Sequence, residues 1–424
     1  MPQIQEFSTT RTDIAGISVY ELASQFGTPT FVYDASVIQQ RVADLAQFDV
    51  VRYAQKACSN IAIVDLVRQA GVVVDAVSAG EIHRALLAGY KGGPGEDGTP
   101  QIVYTADIFD QMALDLIAEH DIHVNCGSPD MIAQLAERVS GAHITLRLNP
   151  GFGHGHSQKT NTGGEQSKHG IWFEQLAECK ALADSAGLTI SGLHMHIGSG
   201  TDLEHLAQVC GSMKQAALEV GPSISVVSAG GGLPVPYNSS QSYMDLDRYY
   251  ELWDEVRKSL ESEFEHSISL EIEPGRYLSA ESGFLLTEIR AVKEMGSNRF
   301  YLVDAGFNNL ARPIMYGSYH PISISPRNGD SREDQAVIVG GPLCESGDIF
   351  TQEEGGFVAS RQLPKAEVGE LLVIECAGAY GSVMGSNYNS KPLASEVLIK
   401  QGEAHLIRAR QSLDDITRGE IIPS

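Results

Sequence analysis

The chain is poor in cysteine and tryptophan and short of positive charge. Its six cysteines, at positions 58, 126, 179, 210, 344 and 376, are spread over 424 residues, and no two have CxxC spacing. That scatter excludes a disulfide-stapled scaffold and a cysteine zinc site, and it fits a reducing compartment. Lysine and arginine total 30 against 54 aspartate and glutamate, a formal net charge of −24. Such a polyanion is not expected to bind nucleic acid or an anionic membrane surface. No apolar run is long enough to span a bilayer. The opening Met-Pro-Gln-Ile-Gln-Glu has neither a basic region nor an apolar core, so no secretion signal is visible and a cytoplasmic location is expected.

What is present is a rhythm. After a polar start, Ser18–Gln25 reads as a short amphipathic helix, Pro29–Tyr33 as a strand and Ala35–Ala46 as a helix. Eight apolar runs then predict strands: Val50–Gln55, Val72–Ala76, Ile102–Thr105, Ile122–Cys126, Ile144–Asn149, Ile190–Met195, Ser225–Ala229 and Ile268–Ile272. Helical patterns separate them, at Ile61–Gln69, Ala79–Leu87, Ile108–Glu119, Pro129–Arg138, Phe173–Ser185, Asp202–Val220 and Leu246–Glu263. Near-continuous apolar strands alternating with helices predict a parallel sheet covered on both faces. Eight of them predict an α/β fold of the (β/α)8, TIM-like barrel type, with a doubly wound sheet as the alternative. Beyond about residue 278 the rhythm changes to strands with short turns, at Phe284–Lys293, Phe300–Asp304, Gln335–Val339, Glu370–Cys376, Glu396–Ile399 and Ala404–Arg408. The expected division is therefore a barrel over residues 30–280. A mainly-β domain, barrel or sandwich, follows at 281–424 and takes up the N-terminal segment 1–29.

In a barrel, chemistry collects just after the C-terminal ends of strands. Lys56 stands after the first strand, a position from which an amine can hold an aldehyde cofactor. The sixth strand runs into His194-Met-His196-Ile-Gly-Ser199-Gly, the seventh into Gly230-Gly231-Gly232, and the eighth into Glu273-Pro-Gly275-Arg276. Free backbone N–H groups, a hydroxyl and an arginine on three consecutive strand ends suit a phosphate. Glu273 is placed to pair with a protonated ring nitrogen, or with Arg276 in an ordinary salt bridge. His154, His156, His194 and His196 occur as two HxH pairs with no evident carboxylate ligand beside them, so no metal is expected. The long polar loop Gly151–Gly170 follows the fifth strand, on the expected active face. Further on, Arg312 and Tyr316 form a carboxylate clamp or a structural pair. Cys344 and Glu345 lie in a turn-rich loop, and Gly378-Ala-Tyr380-Gly offers another hydroxyl.

These motifs are jointly specific. Val51-Arg-Tyr-Ala-Gln-Lys56-Ala-Cys-Ser-Asn60, the loop Gly151–Gly170 and the three strand-end motifs resemble diaminopimelate decarboxylases of the proteobacterial subgroup, over nearly the whole chain. That family uses pyridoxal 5'-phosphate on the alanine-racemase-like fold type. The resemblance implies that Lys56 holds the cofactor and His196 stacks on its ring. Ser199, Gly231, Gly232, Gly275, Arg276 and Tyr380 lie on its phosphate side, and Glu273 pairs with its ring nitrogen. It implies that Arg312, Tyr316 and Glu345 read the distal end of meso-2,6-diaminoheptanedioate, with Arg276 and Tyr380 also facing substrate. It implies that Cys344 protonates the α-carbon from the other subunit of a two-fold homodimer with shared active sites. The implied reaction yields L-lysine and CO2, the last step of lysine biosynthesis. Two departures stand out. Cys58 replaces an asparagine common outside the subgroup, and Lys391 replaces a common arginine, keeping charge but losing the planar fork. Decarboxylases of ornithine, arginine or carboxynorspermidine, a racemase, and a non-catalytic module are the competing readings. The distal carboxylate clamp, the whole-length match, and the presence of both Lys56 and Cys344 speak against them.

Overall fold

The computed structural model describes residues 7–152, 163–196 and 202–423. It divides into two compact units, one from Gln39–Pro234 and Tyr243–Tyr277, the other from Gln3–Ile38, Val235–Ser242 and Leu278–Ser424.

The first unit is a closed parallel barrel. Its strands are Val50–Ala54, Val73–Ala76, Ile102–Ala106, His123–Cys126, His143–Asn149, Thr189–His194, Val226–Ser228 and Ser269–Ile272. Each pairs in parallel with its sequence neighbour, and the eighth returns to the first through Glu271↔Val50 and Ile272↔Val51. The helices start where side chains relieve their free N–H groups. Asn60 caps Ala62, Ser78 caps Glu81, Asp202 caps Glu204 and His205, and Asp245 caps Arg248. The helix expected from Ile108 begins only at Gln111, because Asp110 turns its carboxylate onto the Ala113 N–H and sets the boundary there. The pattern read as one helix over Phe173–Ser185 resolves into a 3-10 turn, Phe173–Gln175, and a helix, Leu176–Ser185. A two-residue strand, Ile171–Trp172, pairs beside the fifth strand. No helix among the described residues is long and apolar enough to cross a membrane.

The second unit is built on a nine-stranded mixed sheet. Its long strand Gly283–Met295 pairs with Asn298–Val303, Leu371–Ile374 and Thr30–Asp34. Thr30–Asp34 also pairs in parallel with Ser395–Lys400, so this early strand lies inside the later sheet. Ile14, Val19 and Leu22 pack with Val32, Leu286, Val373 and Val397 in one buried cluster. Two short strands, Ile322–Ser325 and Arg361–Pro364, gave no distinct signal in the sequence; each is held by antiparallel pairing to a longer neighbour.

Candidate active site

At the mouth of the barrel the first strand ends in a 3-10 turn, Gln55–Ala57. Gln55 and Ala57 are buried while Lys56 between them is exposed. The turn is held from several sides. The Gln55 amide donates to the Glu81 carbonyl at 3.1 Å, and the Tyr53 hydroxyl donates to the Cys58 carbonyl at 3.0 Å. Gly275 closes the turn from the eighth strand, where a Cβ would stand 3.1 Å from the Ala54 carbonyl and 3.2 Å from the Ala57 methyl. The amine is thus carried on a fixed backbone and left free to reach a ligand.

Glu273 extends the eighth strand, next to the first in the barrel. It is 7% exposed and accepts from His194 Nε2 at 2.7 Å. Burial pushes its carboxyl up, but His194 and the Arg52 guanidinium outweigh burial, and the net displacement is downward. Asp75, at the end of the second strand, goes the other way. Burial first and the Glu273 charge second push it up to about 8. Two buried carboxyl groups with opposite tendencies therefore share this mouth. Asp75 is a residue that sequence reasoning missed; its signal was a lone acid in the apolar run Val72-Val-Val-Asp75-Ala76.

His194 and His196 project to one side of the sixth strand, their rings parallel within 1° and 6.5 Å apart. The Gly231 N–H donates to His196 Nδ1 at 2.8 Å, leaving the other ring nitrogen as the N–H bearer. Burial, then Arg147 and Lys56, hold its pKa well below the usual imidazole range. Gly230 and Gly231 pass so close to these strand ends that only glycine fits, and Gly232 takes a positive φ that favours glycine. A Cβ on Gly231 would lie 2.5 Å from the Glu273 carbonyl, and Gly230 and Gly232 have φ of +62° and +106°. Arg276, half-buried, opens the short helix Arg276–Ser279.

The loop after the fifth strand is pinned at both ends. The Asn149 carboxamide oxygen accepts from the Gly151 and Gly164 N–H groups at 3.1 and 2.9 Å. Asp107 accepts from the Gly170 N–H at 2.9 Å and pairs with His169 Nδ1 at 2.7 Å. Ser199, His154 and His156 lie outside the described residues.

These residues fit pyridoxal phosphate on chemical grounds. The mouth offers an exposed amine, an ionised carboxylate on the adjacent strand, a side-chain-free glycine bend and an arginine. Buried oxygens of Gln55, Asp75 and Asn125, and Nδ1 of His194, have no hydrogen-bond partner among the described residues. Unsatisfied polar atoms in such number are unusual in a packed interior and mark a place kept for polar chemistry.

The second unit gathers the remaining sequence-predicted groups on three laced loops. Arg312 is 7% exposed. Its guanidinium donates to the Tyr237 hydroxyl at 2.7 Å and to Ser318 Oγ at 3.2 Å, and it lies 5.2 Å from the Tyr237 ring centre. Tyr237 was not singled out from sequence. Tyr316 ends the short helix Arg312–Tyr316 and is half-buried. Cys344 and Glu345 are both exposed, on a loop organised by Asp348, whose carboxylate accepts from the Leu343 and Phe307 N–H groups at 2.8 and 2.7 Å. The Cys344 N–H donates to Asn389 Oδ1 at 2.7 Å, and Phe307 packs on Tyr388 with ring centres 5.1 Å apart. The other five cysteines are buried and none is in a disulfide. Tyr380 is half-buried with φ of +56°, a left-handed conformation that a bulky residue adopts only at a cost.

Residues 35–280 match the family model described as "Pyridoxal-dependent decarboxylase, pyridoxal binding domain". The chain is 51% identical to the diaminopimelate decarboxylase of Escherichia coli K12, over 98% of this chain and 99% of that one. It is 52% identical to that of Streptomyces coelicolor, over 95% and 91%. Among solved structures, a diaminopimelate decarboxylase superposes with a TM-score of 0.90 at 52% identity, covering 94% of both chains. The Helicobacter pylori enzyme complexed with L-lysine superposes with a TM-score of 0.83 at 30% identity, covering 94% of this chain and 98% of that one. With near-complete coverage by these relatives at about half identity, the chain belongs to the diaminopimelate decarboxylases, a family of pyridoxal-dependent decarboxylases.

Proposed function

We propose that this chain removes the D-centre carboxylate of meso-2,6-diaminoheptanedioate, giving L-lysine and CO2, with pyridoxal 5'-phosphate as cofactor. The observation that carries the reading is the pairing of Lys56 with Glu273. One amine and one carboxylate held ionised stand at the ends of adjacent strands, beside a bend only glycine can make. Pyridoxal phosphate, when bound, supplies the sink for the electron pair left on the α-carbon as CO2 departs.

The chain's own groups do the rest. Lys56 provides the amine that holds the cofactor. Glu273, kept as a carboxylate, keeps a proton on the ring nitrogen. His196 would stack on the ring, and Gly231, Gly232, Gly275, Arg276 and Tyr380 would hold the phosphate, with Ser199, outside the described residues, assigned to the same side. Arg312 and Tyr316 take the distal carboxylate; Glu345 takes the distal ammonium. Arg276 and Tyr380 also face the substrate. Cys344 delivers a proton to the α-carbon as general acid.

Cys344 and Glu345 serve the site of the other subunit in a two-fold homodimer; their exposure in the single chain supports this. The free cysteines fit a cytoplasmic setting.

The test is incubation of purified protein with pyridoxal phosphate and meso-diaminopimelate, following CO2 and lysine, with ornithine and arginine in parallel. Turnover of diaminopimelate alone is expected. Turnover of ornithine without lysine formation overturns the substrate assignment. Mixing Lys56→Ala and Cys344→Ala subunits is expected to restore activity that neither has alone; no restoration rules out shared sites.

A further inference from the structure

The mouth of the barrel holds two buried carboxyl groups with opposite tendencies, and the structure shows a cause. Glu273 has a donor: His194 Nε2–H at 2.7 Å, with the imidazole only 1% exposed. Asp75 has none on Oδ1, which is buried without a hydrogen-bond partner among the described residues, and its side-chain hydrogen bond with Thr105 does not offset burial. His194 itself has no second anchor, since its Nδ1 is likewise buried and without a partner among the described residues. Its ring is therefore committed to one polar contact. It is fixed there by its strand, whose backbone pairs His194 with Arg147 on one side and Ser228 on the other. His196, two residues on, keeps its ring parallel to that of His194 and is tied by its own Nδ1 to Gly231.

From this geometry we infer that His194 is a positioning residue for the decarboxylation, holding one oxygen of Glu273 in a fixed hydrogen bond so that the carboxylate stays ionised and its other oxygen stays directed at the cofactor's ring nitrogen. A buried carboxylate without a donor pays the full cost of desolvation and takes up a proton instead. The other charged groups acting on Glu273 from the surrounding strands are Arg52 and His196; Asp75 faces it as a like charge whenever it ionises, and Lys56 acts on Asp75. Arg52 is already engaged by Glu271 and the Pro100 carbonyl, so it cannot take the place of the imidazole. With His194 gone, Glu273 loses that donor and is drawn toward the protonated form, in the direction in which burial already pushes Asp75. The inference rests on the reading of Glu273 as the ring-nitrogen partner, proposed above.

The experiment uses cofactor-loaded protein and three variants: His194→Phe, which keeps a flat ring without a donor; His194→Gln, whose amide can donate; and Glu273→Gln. Each is followed by titrating the visible absorbance of the bound cofactor against pH and by kcat and KM for diaminopimelate. His194→Phe is expected to move the titration and lower kcat about ten- to a hundred-fold, the scale of losing an outer hydrogen-bond partner of a functional group, with little change in KM. His194→Gln is expected to recover much of both. The double variant His194→Phe/Glu273→Gln is expected to be no worse than Glu273→Gln alone, because the two groups act as one. Additive losses, or equal losses in the Phe and Gln variants, overturn the inference. If His194→Phe does not fold, His194→Leu takes its place against His194→Gln and in the cycle with Glu273→Gln, and the same additivity criterion decides. A Glu273→Gln protein with unaltered absorbance and turnover instead overturns the assignment of Glu273 itself.

Discussion

Two layers of the barrel interior, two residues apart on the eighth strand, treat buried charge in opposite ways. In the deeper layer Arg52 grips Glu271 with a two-nitrogen fork at 3.0 to 3.2 Å and spends another N–H on the Pro100 carbonyl at 2.9 Å. Arg52 is 1% exposed and Glu271 6%, and their charges cancel. In the layer at the mouth, Glu273 leans on one imidazole, burial pushes the Asp75 carboxyl up, and the nearby amine of Lys56 is exposed. Strand periodicity puts residues 271 and 273 on the same side. The lower layer is closed chemistry, completed by the fold. The upper layer is left incomplete, as a site must be if a ligand is to finish it.

The comparison predicts that the layers fail differently. Lys56→Ala is expected to abolish turnover and the visible absorbance of the bound cofactor, while cofactor-free protein melts near the parent temperature. A visible band retained in this variant excludes that amine as the anchor. Arg52→Met should act through the fold. It leaves Glu271 buried and unpaired, at a cost of about 3–5 kcal/mol. Denaturant unfolding reads this directly. The double change Arg52→Met/Glu271→Leu, with no charge left to strand, should recover most of it. Stability loss in Lys56→Ala as large as in Arg52→Met would erase the distinction between the layers.

A third test uses pH. Folded Asp75 keeps its proton to about pH 8, whereas an aspartate in an unfolded chain ionises near its ordinary value of 3.8. The folded state therefore binds the extra proton between those values, and stability falls as pH rises through that window. Asp75→Asn removes the loss, so cofactor-free variant should outmelt the parent by more at pH 8 than at pH 5. An equal difference at both values would mean that Asp75 is not held neutral. The smallest effect belongs to a helix start: Asn60→Ala removes the cap on Ala62 and should cost about 1 kcal/mol, with cofactor absorbance retained.

The sequence was informative about the mouth wherever one residue carried the message alone. Lys56, Glu273 and the glycine run could be placed at strand ends because apolar runs have a readable length and glycine a readable purpose. The pairings between them could not. Nothing in the spacing of His194 and Glu273, 79 residues apart, says that one donates to the other at 2.7 Å. Asp75 passed unnoticed as a lone acid in an apolar strand, because only its surroundings show why its carboxyl is pushed up. Tyr237 was silent because its role is to hold Arg312, which lies 75 residues away. The helix start at Gln111 was misplaced by a local competition: Asp110 caps more favourably than Ile108 can begin a turn.

By itself, the order of residues determined the alternation of strand and helix, the passage to a β-rich second unit, and the kinds of group delivered to each strand end. These follow from local physics, namely side-chain periodicity, backbone freedom at glycine and capping at helix starts. The tertiary structure decided which acid at the mouth is pushed up and which is drawn down, and it inserted Thr30–Asp34 between strands some 250 and 360 residues further along. Burial and through-space charge set those outcomes, and both depend on neighbours that only folding brings together.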